Sequence, residues 1–158
     1  MHEVKLFTDG SVNPKLNIGF GAYLLIEEIE LYSTSLISRV KVKRFENTSS
    51  SKLELQSLLW ALNELKEEYS KVTVYTDCQN ILGLKNRRER FENNNYLTKK
   101  NKIIANHELY KEFYRLTDKI NCIFVKVKGH KVSHQKDEID KIFTLVDKIS
   151  RNTLRQNG

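Results

Sequence analysis

Two segments of the chain end in the same pattern, an aromatic residue followed by threonine and aspartate. The first runs from Val4 to Asp9 and the second from Val72 to Asp77. Before each acid, residues alternate with the period of two that predicts a β-strand with one face in a core. Each predicted strand therefore ends on a carboxylate, at the point where the backbone leaves the sheet. Carboxylates placed in this way could bind a cation, so the two aspartates are the starting point for function.

A third acid, Glu54, lies in the first turn of a predicted helix. If the strands ending in Asp9 and Asp77 are parallel neighbours, their carboxylates emerge about 4.8 Å apart on one edge, where open α/β sheets bind ligands. Carboxylates this close repel each other and resist ionising unless a cation lies between them. A site made only of carboxylate oxygens suits Mg²⁺ or Mn²⁺ and does not suit zinc.

Each of these acids also has a purely structural interpretation. Asp9 could form an Asx-turn. Glu54 together with Ser51 fits the Ser-x-x-Glu pattern of a helix capping box. Asp77 could cap the short helix that follows it. These interpretations stay open for each acid alone, whereas the metal-site hypothesis predicts that all three acids meet.

Hydrophobic patterning predicts the elements that position the acids. After the first strand, residues 19–28 and 31–45 are predicted to form two longer strands, joined by a polar hairpin link at residues 28–30. A helix is predicted from about Lys52 to Tyr69. Its leucines recur with the i, i+3, i+4 spacing of an amphipathic helix, namely Leu55, Leu58, Leu59, Leu62 and Leu65.

The second half of the chain continues with alternating helices and strands. A short helix through Ile81 and Leu84 is followed by a helix over residues 107–119, a strand over 122–128 and a last helix over 139–155. A strand, a helix and a further strand at this spacing imply that the Asp77 strand runs parallel to a neighbour, and the first strand is the candidate. Because no segment has the composition of an interdomain linker, we predict a single domain over residues 1–158.

Composition narrows the class of protein and partner. The net charge is +7 with a pI near 9.3, which points toward a polyanionic partner. No apolar run is long enough to span a membrane and no secretory leader is visible, so we expect a cytoplasmic protein with no membrane partner. Cys78 and Cys122 lack metal-binding spacing and suit a reducing compartment.

Much of the positive charge lies in one segment, residues 85–102. It contains seven basic residues and only two acids, a net charge of +5, with Phe91, Tyr96 and several asparagines interleaved. The basic residues are Lys85, Arg87, Arg88, Arg90, Lys99, Lys100 and Lys102. The segment could grip a nucleic acid, or it could be a solvated charged loop.

Four motifs, in this order, resemble ribonuclease H of type 1. They are Thr8 to Ser11, Ser51 to Leu55, Tyr75 to Asp77 and Val127 to His130, and their intervals agree with that family over nearly the entire chain. The resemblance implies an α/β, RNase H-like fold, with a five-stranded mixed sheet flanked by helices. It also implies an endonuclease that cleaves the RNA strand of RNA–DNA hybrids with two Mg²⁺ ions, or Mn²⁺, held by four acids. The expected products carry 5′-phosphate and 3′-hydroxyl ends.

By this resemblance Asp9, Glu54 and Asp77 are three of the four metal ligands, and two residues compete for the fourth. The family places an apolar residue and then a small one two and three positions after this aspartate. Asp147 fits that pattern, whereas Asp140 has Phe143 where the small residue belongs.

Asp140 lies nearer the usual distance from the preceding Gly-His motif, so choosing Asp147 makes residues 135–144 an insertion. The two acids are about 10.5 Å apart along one helix, too far to share one metal pair. We favour Asp147. Its alternative role is an ion pair with Arg151, and that of Asp140 is a solvated charge.

The resemblance assigns further roles more loosely. His130 is expected to assist proton transfer to the leaving 3′ oxygen. Hydrogen bonds to the 2′-hydroxyl would distinguish RNA from DNA, and the basic segment would hold the DNA strand. The candidate substrate-binding residues are Gly10, Ser11, Asn13, Ser51, Gln79, Arg87 and Arg88.

Two other functions stay open. One is a binding module that keeps the fold and the basic surface without cutting. The other is a different nuclease on the same scaffold, such as a DNA-strand resolvase or integrase core. The Gly-His motif before the last helix and the Ser-Lys-Leu-Glu helix start favour the hybrid-specific enzyme, which we expect to act as a monomer.

Overall fold

The computed structural model describes residues 2–27, 36–66, 68–128 and 137–157. These residues contain a five-stranded sheet with the strand order β3-β2-β1-β4-β5. The first three strands pair antiparallel, and β4 and β5 run parallel to β1. The strands are β1 (Glu3–Asn13), β2 (Ile18–Glu27), β3 (Lys41–Phe45), β4 (Lys71–Thr76) and β5 (Cys122–Lys126). The predicted mixed sheet is confirmed.

The pairing of β1 with β4 brings the two aromatic-Thr-Asp segments together. Phe7 lies opposite Tyr75 in the parallel register, and their rings stack with centroids 4.8 Å apart. Each aspartate follows its aromatic residue by two positions, so the two acids lie side by side. The prediction that the first strand ends at Asp9 is wrong, because β1 continues to Asn13 through its pairing with β2. The predicted parallel neighbourhood of the two strands is confirmed.

Helices cover both faces of the sheet. They are α1 (Ser50–Asn63), α2 (Gln79–Leu82), α3 (Leu84–Asn93), α4 (His107–Lys119) and α5 (Glu138–Asn157). One core cluster joins the sheet to α1, α3 and α4, and a second joins the opposite face to α5. Among the described residues, none of the helices has the length and apolar character needed to cross a bilayer.

Close contact between α1 and β2 depends on a glycine. The leucine stripe of α1 packs into the first core cluster. A Cβ atom placed on Gly21 would lie 2.0 Å from the Oγ of Ser57, which is fully buried. A side chain at Gly21 would therefore force the helix away from the sheet. Because Glu54 lies on α1 as well, the close approach of Ser57 to Gly21 also determines how deeply the Glu54 carboxylate is buried.

The sequence predicts a strand over residues 31–45. This prediction is wrong for residues 36–40, the first part of the range that the structure describes. A 3₁₀ helix occupies Leu36–Arg39, and only the last five residues of the predicted strand form β3. Leu36 is buried in the core beneath α5 while Ile37 is exposed, so this turn buries a single side chain instead of alternate ones. The hairpin link predicted at residues 28–30 lies outside the described residues.

Other boundaries also differ from the prediction. The first helix ends at Asn63 instead of Tyr69, because the chain has to turn back so that Lys71 can pair with Glu3 at the start of β4. The basic segment, predicted as a break in the pattern, begins with the helix α3. The buried ring of Phe91 holds this helix by stacking on the aromatic rings of Tyr96 and Tyr110.

In the outer strand β5, the alternation of apolar and polar residues predicts that Ile123 and Val125 face the core. The structure shows the reverse. Ile123 and Val125 are 46% and 37% exposed, whereas Cys122 and Phe124 pack against the first core cluster. The strand ends at Lys126, two residues before the predicted end. Because α5 packs mainly on β1 and β2, it leaves these two side chains of the outer strand exposed.

The other outer strand, β3, is strongly basic. It carries Lys41, Lys43 and Arg44 among its five residues. The Lys41 ammonium lies 5.8 Å from the centroid of the Tyr23 ring, and that of Lys43 lies 5.3 Å from the Phe45 ring. These cations therefore cover aromatic side chains at the edge of the sheet.

Candidate active site

Three acids meet where the parallel pairing of β1 with β4 ends. Asp9 lies inside β1, two residues past the last residue that pairs with β4, whereas Asp77 directly follows β4 and Glu54 lies on α1. Each offers a carboxylate oxygen, and these oxygens all lie within 4.8 Å of one another. Asp9 is buried and Asp77 is exposed, so the cluster opens to solvent on one side. This is the arrangement that the metal-site hypothesis predicts.

None of the purely structural interpretations describes these three acids. Asp9 lies inside the strand, paired with Ala22. The N-cap of α1 is Ser49, so the Ser51 and Glu54 pair does not form a capping box, and Glu54 lies beyond the first turn. The N-cap of α2 is Cys78, not Asp77. The turn considered for Asp9 and the capping box considered for Glu54 are therefore absent from the described residues.

The cluster disfavours ionisation of its own members. Burial raises the pKa of Asp9, and the neighbouring charges of Glu54, Asp77 and Asp147 raise it further. Burial is also the main reason that the pKa of Glu54 is raised, followed by the charge of Asp77. Without a cation, the folded protein therefore holds protons at this site that free carboxylates would release at neutral pH.

The residues present fit a divalent cation. Oε2 of Glu54 is buried and has no hydrogen-bond partner among the described residues. A buried carboxylate oxygen without a partner costs free energy, which a cation beside it would offset. All the candidate ligands here are oxygens, the donor type that Mg²⁺ and Mn²⁺ prefer.

Asp147 lies beside the three acids. Its carboxyl group faces that of Asp9, close enough for its charge to raise the pKa of Asp9. Oδ2 of Asp147 also lies 2.8 Å from the Nη2 atom of Arg151, one turn later on α5. The ion pair considered as an alternative for Asp147 thus exists together with its contact to Asp9.

Asp140 has a different environment. Only 7% of the residue is exposed, so the solvated charge considered for it is wrong. Its carboxylate accepts a hydrogen bond from the backbone N–H of Asp137 at the start of α5. Asp140 lies two helical turns before Asp147 and is not one of the three clustered acids. The structure therefore brings Asp147, rather than Asp140, to the side of Asp9.

Asn13, a candidate substrate-binding residue at the end of β1, has partners within the protein. Its Oδ1 accepts hydrogen bonds from the N–H groups of Lys15 and Leu16. Gly10 lies against Glu54, because a Cβ atom placed on Gly10 would be 3.6 Å from Oε1 of Glu54. Ser51 and Gln79 are exposed near the acidic cluster, as substrate contacts require.

The two candidate arginines are also held within the protein. The guanidinium of Arg87 donates to the carbonyl oxygens of Gly83, at 3.2 Å, and Asn80. Arg88 forms a two-pronged ion pair with Asp118, at 2.6 and 2.8 Å, and contacts Glu92. Other cations of the basic segment are exposed and better placed for a partner, namely Lys85, Arg90, Lys99, Lys100 and Lys102.

His130, the candidate for proton transfer, lies outside the described residues. The sequence interpretation also missed one residue near the acids, Ser150, which is fully buried and contacts Ser11. The sequence does indicate this residue, because the pattern around Asp147 requires a small side chain three positions after the acid.

One known protein family matches this chain over most of its length. The family model described as RNase H matches residues 1–145. The chain belongs to the RNase H family. The resemblance found in the four motifs is therefore confirmed, and with it the RNase H-like fold. The family match ends before Asp147, so it does not bear on which acid is the fourth ligand.

Individual members of the RNase H family align along nearly the entire chain. Ribonuclease H of Caldicellulosiruptor saccharolyticus is 29% identical over 158 residues, which cover 99% of each protein. Ribonuclease H of Acetivibrio thermocellus is 31% identical, covering 97% of this chain and 99% of its own. Ribonuclease H of Orientia tsutsugamushi is 30% identical over 146 residues, covering 89% and 80%.

Proposed function

We propose that this RNase H family member is an endoribonuclease that hydrolyses the RNA strand of RNA–DNA hybrids. The observation that carries the proposal is the convergence of Asp9, Glu54 and Asp77 within 4.8 Å, with a buried and unpaired oxygen on Glu54. A structural cluster would pair such an oxygen, whereas a metal site leaves it for the ion. The net charge of +7 suits a nucleic acid substrate.

The acids are the proposed ligands of two Mg²⁺ ions, with Mn²⁺ as the alternative metal. Asp9, Glu54 and Asp77 would hold the ions, and Asp147 would complete the set. Bound divalent ions supply positive charge at a scissile phosphate and favour ionisation of a water molecule. The chain itself orients one of the ligands, because Arg151 pairs with the Asp147 carboxylate. The proposed products have 5′-phosphate and 3′-hydroxyl ends.

Selection of the hybrid is proposed to come from hydroxyl recognition beside the acids and from charge further away. Ser11, Ser51 and Gln79 are candidates for contacts with 2′-hydroxyl groups of the RNA strand. The exposed cations of the basic segment would hold the phosphates of the DNA strand. His130 is proposed to transfer a proton to the leaving 3′ oxygen. We propose a monomeric, cytoplasmic, single-domain enzyme.

A cleavage assay on matched duplexes tests this function. RNA–DNA, RNA–RNA and DNA–DNA duplexes of one sequence, each labelled on either strand, are incubated with Mg²⁺ or with EDTA. We expect cleavage of the RNA strand of the hybrid alone, only with Mg²⁺, with product ends that accept a label at the 3′-hydroxyl. Asp9→Asn is the inactive control. Binding of the hybrid without cleavage would favour the binding module, and cleavage of DNA–DNA would favour a different nuclease.

A further inference from the structure

A pair of hydroxyl groups joins the end of β1 to the middle of α5. Oγ of Ser11 lies 3.1 Å from Oγ of Ser150, although the two residues are 139 positions apart in the chain. Ser150 is fully buried and Ser11 is partly buried. Ser11 follows Asp9 by two residues, and Ser150 follows Asp147 by three. The contact therefore joins the two chain segments that carry Asp9 and Asp147.

The direction of these hydrogen bonds can be deduced. Oγ of Ser150 donates to the backbone carbonyl oxygen of Asp147 at 2.9 Å. A hydroxyl group has one proton, so Ser150 has none left for Ser11. Ser11 is therefore the donor and Ser150 the acceptor. A chain of two hydrogen bonds runs from the hydroxyl of Ser11 through Ser150 to the backbone of Asp147.

The remaining contacts of α5 with the sheet are mainly apolar. Ile142, Phe143 and Val146 pack beneath β1 and β2 in the second core cluster. Apolar packing is non-directional, so it resists a small slide or rotation of a helix less than a hydrogen bond does. Ionised carboxylates at Asp9 and Asp147 would also repel each other. The Ser11–Ser150 hydrogen bond is a directional contact between α5 and β1.

We propose that Ser11 and Ser150 are positioning residues that hold Asp147 beside Asp9 before a cation binds. If α5 moved away from β1, the buried hydroxyl of Ser150 would lose its donor partner, which opposes the movement. The small size of Ser150 lets the helix come close enough for this contact. The inference rests on the proposed function, because it takes Asp147 to be a metal ligand.

Mn²⁺ binding without nucleic acid tests the inference. The electron paramagnetic resonance signal of free Mn²⁺ gives the dissociation constant directly and is independent of catalysis. Omitting the hybrid also removes any role of Ser11 in substrate binding. We expect Ser150→Ala and Ser11→Ala each to weaken Mn²⁺ binding by about tenfold, as the loss of a group that orients a metal ligand does. The double variant should be no weaker than either single variant, because both remove the same contact.

Two further variants serve as controls. Thr153 donates its hydroxyl to the carbonyl oxygen of Ile149 at 2.7 Å, a similar helix hydrogen bond one turn later on α5. Thr153→Ala should therefore keep the wild-type Mn²⁺ affinity. Ser11→Thr retains a hydroxyl donor at the partly exposed end of the pair and should bind Mn²⁺ nearly as well as the wild type.

The outcomes separate this inference from the proposed function. If the wild type binds Mn²⁺ and both alanine variants bind it equally well, the positioning role is overturned while the metal site stands. If the alanine variants melt at a lower temperature but bind Mn²⁺ with unchanged affinity, the positioning role is also overturned. Additive losses in the double variant would show that the hydroxyls act separately, which also overturns it. If the wild type binds no Mn²⁺, both proposals fail. Should Ser150→Ala not fold, Ser11→Ala alone decides.

Discussion

Asp137 and Asp140 cap the first turn of α5 reciprocally. The backbone N–H of Asp140 donates to the carboxylate of Asp137 at 2.8 Å, and the N–H of Asp137 donates to the carboxylate of Asp140 at 3.3 Å. The pair satisfies backbone donors that a helix start leaves without partners, as a capping box does. Asp140 thus has a local role that explains why an acid is buried there, and its carboxylate is directed to the helix start.

This role predicts opposite effects for the two acids of α5. Asp147→Asn should reduce the kcat for hybrid cleavage at least about a hundredfold, because it weakens a proposed ligand beside Asp9. Asp140→Ala should leave kcat within a few-fold while lowering the free energy of unfolding by about 1 kcal/mol through removal of the cap. Steady-state kinetics and thermal unfolding of both variants measure the two effects. An inactive Asp140→Asn enzyme beside an active Asp147→Asn enzyme would reverse the assignment.

The acidic cluster predicts how stability depends on pH without metal. The pKa values of Asp9 and Glu54 are raised in the folded protein, mainly by burial. Above about pH 4, the usual pKa of these side chains, the folded state therefore holds more protons than the unfolded chain. As pH rises from there through the raised pKa values, this contribution makes the folded state less stable. Thermal unfolding in EDTA should show a lower melting temperature at pH 8 than at pH 5.5, and Mg²⁺ should restore much of the loss at pH 8.

Neutralising one acid should stabilise the metal-free protein. At pH 8, Asp9→Asn removes a buried charge, so we expect it to raise the free energy of unfolding in EDTA by roughly 1–3 kcal/mol. The same change should abolish stabilisation by Mg²⁺. Asp118→Asn is the matched control, because the hydrogen bonds from Arg88 lower the pKa of this exposed acid. That variant should not be stabilised and should keep its response to Mg²⁺. A destabilised Asp9→Asn protein would contradict the repulsion inferred here.

Gly21 should be far less tolerant of substitution than Gly83. Gly21→Ala places a Cβ 2.0 Å from Oγ of Ser57, so we expect a loss of roughly 1–3 kcal/mol in the free energy of unfolding. A Cβ on Gly83 would come no nearer than 3.4 Å to the Arg87 side chain, and its φ of −90° suits alanine. Gly83→Ala should therefore change stability little. Urea unfolding curves measure both, and equal losses would show that the helix contact is not the cause.

The exposed lysines of the basic segment should carry its salt dependence. Substituting Lys99, Lys100 and Lys102 by alanine should weaken hybrid binding and lower the slope of log K against log salt by up to about 0.9 for each lysine that neutralises a phosphate. Arg88→Ala should change the slope less, because Asp118 and Glu92 already pair with its charge. Fluorescence anisotropy at several KCl concentrations, with Ca²⁺ in place of Mg²⁺, measures these slopes. An unchanged slope in the lysine variant would make the segment a solvated loop.

Local patterns were sufficient to predict the elements that form the acidic cluster. The period-two segments before Asp9 and Asp77 are local features, and the helix spacing between them implied parallel pairing. The helix over residues 107–119 could be predicted for the same reason, and its bounds agree with α4. Convergence of the acids followed from this topology, since parallel neighbours end at one edge.

Long-range contacts explain what could not be predicted. Leu36 is drawn into the core beneath α5, which makes a 3₁₀ turn where an apolar stretch indicated a strand. The charge of Arg88 is paired with Asp118, 30 residues away, and no local pattern reveals such a partner. Burial of Asp140 likewise depends on where α5 packs. In each case the side chain's role is set by a distant segment that the local pattern does not contain.

The basic side chains of β3 affect how copies of the protein associate at high concentration. An unpaired strand edge can recruit the edge of another copy and start the growth of aggregates. Edge-to-edge pairing of two β3 strands would bring Lys41, Lys43 and Arg44 of each copy against the same cations of the other. This repulsion should keep concentrated preparations free of sheet-to-sheet clustering at low ionic strength, and added salt should weaken the protection.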